Sequence, residues 1–109
     1  MTKSKSPKLG AKQIARMIEA ATMDAYNESE QVTGFLTLIE EHLELPFVMR
    51  VLGQAVTVTK VDLSRSEEIV VICAQGKTRQ AIGVLDLPLP DPRPAGAEWI
   101  EAYRYWRCA

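Results

Sequence analysis

Residues 39–62 read IEEHLELPFVMRVLGQAVTVTKVD, and the apolar period of the chain changes inside this stretch, at Pro46. Upstream of it Val32, Phe35, Leu36, Ile39 and Leu43 recur every three or four residues, the spacing of one buried helical stripe. Pro46 removes a backbone donor and stops that helix. Downstream, β-branched residues take over and the period falls to two: Val56 and Val58 alternate with Thr57 and Thr59. Val61 and Leu63 then continue on the opposite parity, which predicts a bulge or bend near Lys60. A helix running into a sheet is the reading that decides the fold class.

Further along, Ile69, Val70, Val71, Ile72, Cys73 and Ala74 show no polar alternation, so they predict a strand covered on both faces at the centre of the sheet. Gln75, Gly76 and Lys77 make a short turn into a return strand over Thr78 to Leu85, giving a hairpin. Three strands are visible, and four or five if Phe47 to Leu52 and Leu87 to Leu89 also pair. Prolines at 88, 90, 92 and 94 exclude a central strand and predict an extended strap. Beyond Gly96, Trp99, Ile100, Tyr103 and Trp106 have helical spacing; four of the chain's seven aromatic residues lie here, so this helix should dock on the body of the protein.

Toward the amino terminus, Ile14, Met17, Ile18, Ala21 and Ala25 define a helix to about Tyr26. Asn27 then caps the second helix, with Glu30 at capping-box distance and Glu28 favoured by the positive end of the helix dipole. Gly34, inside that helix, marks a place where another backbone comes close. Residues 1–10 form a basic tail expected to be disordered, and residues 11–109 a single domain of α+β class: two helices, a small bent antiparallel sheet and a final helix.

The charges are unevenly distributed. Residues 1–16 hold Lys3, Lys5, Lys8, Lys12 and Arg16 and no acid, while residues 17–49 hold seven carboxylates and no Lys or Arg, a belt of formal charge −7. Such a belt repels nucleic acid; it either suits a hard cation with oxygen ligands or forms the solvated faces of two helices, and no EF-hand loop is present to decide for calcium. The only histidine, His42, and the two separate cysteines, Cys73 and Cys108, make no zinc pattern and point to a reducing cytoplasm. Scattered glycines exclude a phosphate-cradling loop, and no serine has a nucleophile-elbow context, so an enzyme is not expected. No apolar run is long enough to span a membrane, and MTKSKSPKLG lacks the core of a signal peptide.

The stretch Asp24 to Glu30, then Gly34-Phe35, then Glu40-Glu41-His42-Leu43-Glu44-Leu45-Pro46-Phe47, and finally Trp99 to Trp106, resembles a family of small prokaryotic calcium-binding proteins of the CcbP type. The resemblance covers about residues 17–106, and the acidic helix leading into Leu-Pro-Phe is its most specific part. It implies an SH3-like bend of the sheet and cytoplasmic calcium binding, for buffering or sensing, without catalysis. The Ca²⁺ ligands it implies are Asp24, Glu28, Glu30, Glu40, Glu41 and Glu44. Ser29 and His42 stand where acidic or amide side chains would fit the family pattern, which implies weak affinity. The alternative is a small interaction or self-association module built on the sheet, the proline strap and the aromatic helix. An exposed Trp99 or Trp106 would favour it.

Overall fold

The structure, a computed structural model, describes residues 10–108. The expected basic tail, apart from Gly10, lies outside the described residues. The elements run α1 (Ala11–Thr22), α2 (Glu28–His42), β1 (Phe47–Val51), β2 (Gln54–Leu63), β3 (Ile69–Gln75), β4 (Thr78–Gly83), a single 3₁₀ turn (Val84–Asp86) and α3 (Ala97–Cys108). The four strands pair antiparallel in chain order, β1-β2-β3-β4. This is the α+β class and element order that the sequence predicts.

α2 organises the fold. Its cap is the expected one: Asn27 Oδ1 accepts the Glu30 amide at 2.8 Å. The reciprocal bond of the box is displaced by one residue, since the Glu30 carboxylate accepts from the Tyr26 amide at 2.6 Å. Val32, Phe35 and Ile39 are fully buried, and Leu43 nearly so, which completes the predicted stripe. Gly34 is the site of close approach: a Cβ there would sit 1.9 Å from the Ala21 carbonyl oxygen of α1. α1 stops at Thr22 rather than near Tyr26, because the Thr22 hydroxyl turns back onto the Ile18 carbonyl (2.8 Å) and Asp24 adopts a φ of 64°.

In the sheet, β1 and β2 are joined by a two-residue turn with both φ values positive, Leu52 at 51° and Gly53 at 80°. The predicted bulge falls at Thr59: Val58 pairs with Cys73 and Lys60 with Ile72, leaving Thr59 unpaired. That extra residue shifts the parity so that both Val58 and Val61 enter the core. β3 is an inner strand, as expected. Ile69, Val71 and Cys73 are buried in the core; on the other face Val70 is buried but Ile72 and Ala74 are only half covered, so the expected coverage of both faces is incomplete. Burial pushes the Cys73 thiol pKa up, which makes it a core side chain rather than a nucleophile. Residues 87–89 pair with no strand, and the prolines stay out of the sheet as predicted, but the segment is not the uniformly extended strap expected: it bends at Asp91 and Pro92, whose peptide bond is cis.

α3 runs antiparallel to α2. At one end Gly96 lies against the His42 carbonyl, and at the other Arg107 reaches Glu28. Between these ends Phe35 packs edge-on against Tyr103 (ring centroids 5.5 Å apart) and at a tilt against Trp106 (5.1 Å). Arg104 ties α3 to the chain after β4, donating to the Val84 and Leu87 carbonyls. Tyr103 is fully buried, and its hydroxyl makes no hydrogen bond of good geometry; burial raises its pKa.

Candidate functional site

Apart from Glu19 on α1, the acidic belt is distributed along α2 and around its two ends, and the fold separates it into two halves. α2 has 15 residues, so Glu28 and Glu40 are about 18 Å apart along its axis. Asp24, Glu28 and Glu30 gather at the amino-terminal end, and Glu40, Glu41 and Glu44 at the carboxyl-terminal end. The six carboxylates that the sequence nominates are therefore not one site. Among the described residues no group of three or more His, Cys, Asp or Glu is already arranged to hold a metal ion.

The two halves differ electrostatically. At the amino-terminal end the helix presents free amides and the positive pole of its dipole, which stabilise carboxylates but oppose a cation. Two of the acids there are also engaged. Glu30 accepts from the Tyr26 amide, and Glu28 Oε2 pairs with Arg107 Nη1 at 2.8 Å. Asp24 sits in the left-handed turn between α1 and α2.

At the carboxyl-terminal end the negative pole and the last carbonyls favour a cation. Glu40, Glu41 and Glu44 are exposed there, and none of them has an ion-pair partner among the described residues. The local chain is held firmly: the Leu43 amide closes the helix onto the Ile39 carbonyl at 2.8 Å, and the Glu44 amide donates to Ala95 at 2.8 Å. His42 stacks on Trp99, with ring centroids 5.3 Å apart and planes 18° from parallel. Trp99 and Trp106 are both half-buried against the core, so the exposure that would have favoured an interaction module is not found.

A further acid shares the amino-terminal half. A cleft of about 320 Å³ is lined by Glu28, Ser29 and Val32 of α2, by Arg65, Ser66 and Glu67 of the β2–β3 turn, and by Arg107. The sequence reading did not single out Glu67. It is 39 residues beyond Glu28, and only the fold of the sheet onto α2 brings the two to one cleft.

Comparison with known proteins agrees with this chemistry. The model of the CcbP family, described as calcium binding, matches residues 15–107. The chain belongs to this calcium-binding family. Two solved structures share the CcbP fold with it. One is the crystal structure of Anabaena CcbP, 18% identical, covering 94% of this chain and 94% of that one, with a TM-score of 0.69. The other is a calcium binding protein in its calcium-binding form, 18% identical, covering 92% of this chain and 96% of that one, with a TM-score of 0.70. No curated protein matches the chain in sequence. For the CcbP family the ligand is Ca²⁺, and carboxylates are the right donors: calcium takes six to eight oxygens and accepts irregular geometry with waters completing the shell. Glu40, Glu41 and Glu44 offer at most six carboxylate oxygens, all exposed to solvent. No described helix is long and apolar enough to cross a membrane.

Proposed function

We propose that this protein binds calcium in the cytoplasm as a low-affinity buffer, without catalysis, and that Glu40, Glu41 and Glu44 are its principal ligands. The observation that carries the reading is the contrast between the two ends of α2. Three carboxylates stand unpaired at the pole that attracts cations, whereas two of the three at the other pole already have partners. Like charges at the negative pole of a helix oppose its dipole, so they weaken the helix unless a cation offsets them. Family membership supplies calcium as that cation. The free thiols of Cys73 and Cys108 support a reducing compartment. Ligands exposed on the surface at a helix end, outside the core, support buffering over sensing.

Trp99 gives a direct test, because its ring stacks on His42 in the last turn of the same helix. In a Trp106→Phe variant, which keeps Trp99 as the single tryptophan, Ca²⁺ added to chelator-stripped protein should change the emission saturably. Mg²⁺ should do so less, because it dehydrates reluctantly and demands octahedral geometry. An emission that stays flat, or that sodium chloride changes equally at matched ionic strength, would count against a calcium site at this end of α2.

A further inference from the structure

We infer that the protein associates with a second copy of itself head to tail, the β1–β2 hairpin tip of one molecule seating on the α1–α2 loop of the next. Among the described residues five large apolar side chains are exposed, and four of them fall in these two places. Met23 (65% exposed) and Tyr26 (89%) lie in the α1–α2 loop, while Val48 (59%) lies on β1 and Leu52 (98%) at the hairpin tip. Leu52 also holds a φ of 51°, a left-handed backbone that is unfavourable for leucine. Neither the core nor the turn geometry accounts for a leucine there, whereas an apolar contact with another molecule does.

The surroundings of the two patches are opposite in charge. Residues 45–61 and 69–85, which build both hairpins, hold no acid, and Arg50, Lys77 and Arg79 stand at the end of the sheet where the two hairpins turn. That end is braced: Arg50 Nη1 donates to the Gly53 carbonyl at 3.1 Å, and Gln75 Nε2 donates to Gln54 Oε1 at 2.5 Å, which ties one hairpin to the other. Asp91 shares a groove with Val48 and Arg50 and offsets one of the positive charges. Residues 23–30 hold Asp24, Glu28 and Glu30 and no Lys or Arg, with Arg107 offsetting Glu28. A basic apolar knob and an acidic apolar loop are thus complementary in both respects, which favours a second copy as the occupant of each.

The two patches cannot meet within one molecule. With the strands antiparallel in chain order, the β1–β2 and β3–β4 turns lie at one end of the sheet and the β2–β3 turn at the other. The α1–α2 loop belongs to the second end, because Glu28, just after it, lines a cleft with Ser66 and Glu67 of the β2–β3 turn. The ten residues of β2 separate the ends by about 33 Å. A tip-to-loop contact is therefore heterologous: every copy keeps one free tip or loop, and the row grows. A hairpin tip on a loop buries less than about 1,200 Å², the range of transient association, so the rows form at high protein concentration. Neither patch contains Glu40, Glu41 or Glu44, so association leaves the proposed calcium ligands free.

The test is sedimentation of the chelator-treated full chain at millimolar concentration and low salt, comparing wild type with Leu52→Asn, Tyr26→Ser and Tyr105→Ser. Asparagine accepts the left-handed turn more readily than leucine, and the two tyrosines are exposed, so all three variants should fold. Wild type should grow in mass with concentration beyond a dimer. Leu52→Asn and Tyr26→Ser should each weaken association at least about tenfold, whereas Tyr105→Ser, on α3 and outside both patches, should leave it unchanged. The decisive sample is an equimolar mixture of Leu52→Asn with Tyr26→Ser: one variant keeps its loop and the other its tip, so the mixture should form a pair that stops at two molecules. A monomeric wild type, a mixture that stays monomeric, or equal losses in all three variants would overturn the inference. Loss in Leu52→Asn alone would overturn it in favour of tip-to-tip pairing. A monomer that binds phosphatidylserine vesicles through Leu52 would overturn it in favour of a membrane surface.

Discussion

Replacing Glu40, Glu41 and Glu44 together with Gln should weaken calcium binding by at least about tenfold, whereas Asp86→Asn with Asp91→Asn should change it by less than about twofold. The first set removes three negative charges and turns each ligand into an amide with a single neutral oxygen acceptor. The second removes two exposed charges from the segment between β4 and α3. Coulomb attraction in water between unit charges is about 1 kcal/mol at 4 Å and is screened beyond about 10 Å at 0.1 M salt, so distant carboxylates contribute little. The Gln variant should also remain folded. Its three positions are exposed at the negative pole of α2, where neutralisation relieves repulsion and stabilises the helix by a few tenths of a kcal/mol per site. A loss of calcium binding with an unchanged or raised melting temperature separates loss of ligands from loss of structure. Equal effects of the two sets, measured by calorimetry, would show that calcium is held as a diffuse counterion.

The second large effect concerns the junction that holds the carboxyl-terminal half of the belt in place. Gly96→Ala should destabilise the protein by about 3 kcal/mol, lowering its melting temperature by about 10 °C or more. Gly96 has a φ of 89°, and a Cβ there would stand 2.0 Å from the His42 carbonyl oxygen and 2.5 Å from the Leu43 nitrogen. All of these neighbours are backbone at the end of α2, so no side chain can move aside. The substitution should also disturb the Trp99 stack on His42, because α3 starts one residue later. Gly83→Ala is the matched control: its φ is −64°, nothing lies within 4 Å of the added Cβ, and it should change stability by less than about 0.5 kcal/mol. Urea unfolding of the two variants side by side measures the difference.

Most of the fold was readable because its elements bury regular patterns. The Val32, Phe35, Ile39 and Leu43 stripe gave α2, and the parity change between Val58 and Val61 located the bulge at Thr59, one residue from the expected position. Gly34 was correctly read as a close approach, since a glycine inside an otherwise apolar helical stripe has few other uses. The β1–β2 turn was harder to see because its first residue is Leu52. A leucine at positive φ, 98% exposed, carries none of the usual turn chemistry. The end of α1 was missed for a related reason: Thr22 and Asp24 act through a back-bonded hydroxyl and a left-handed backbone, neither of which interrupts the apolar period.

The candidate site was legible as a set of acids but not as an arrangement. Charge counting found the belt, yet its division into two halves follows from the length of α2, and the state of each half follows from distant residues. Arg107 is 79 positions from Glu28 in the chain and Glu67 is 39, so nothing local in the sequence links them. Only the antiparallel packing of α3 on α2, fixed by Gly96 at one end and by the Phe35, Tyr103 and Trp106 cluster toward the other, makes Arg107 the partner of Glu28.

The most direct measurement is a calorimetric titration of chelator-stripped protein with Ca²⁺ at physiological ionic strength, repeated in excess Mg²⁺. Binding by Glu40, Glu41 and Glu44 should give a saturable heat that survives the magnesium. A heat that is absent, or that magnesium and salt abolish alike, would contradict it and leave this chain sharing the fold of its family without its ligand.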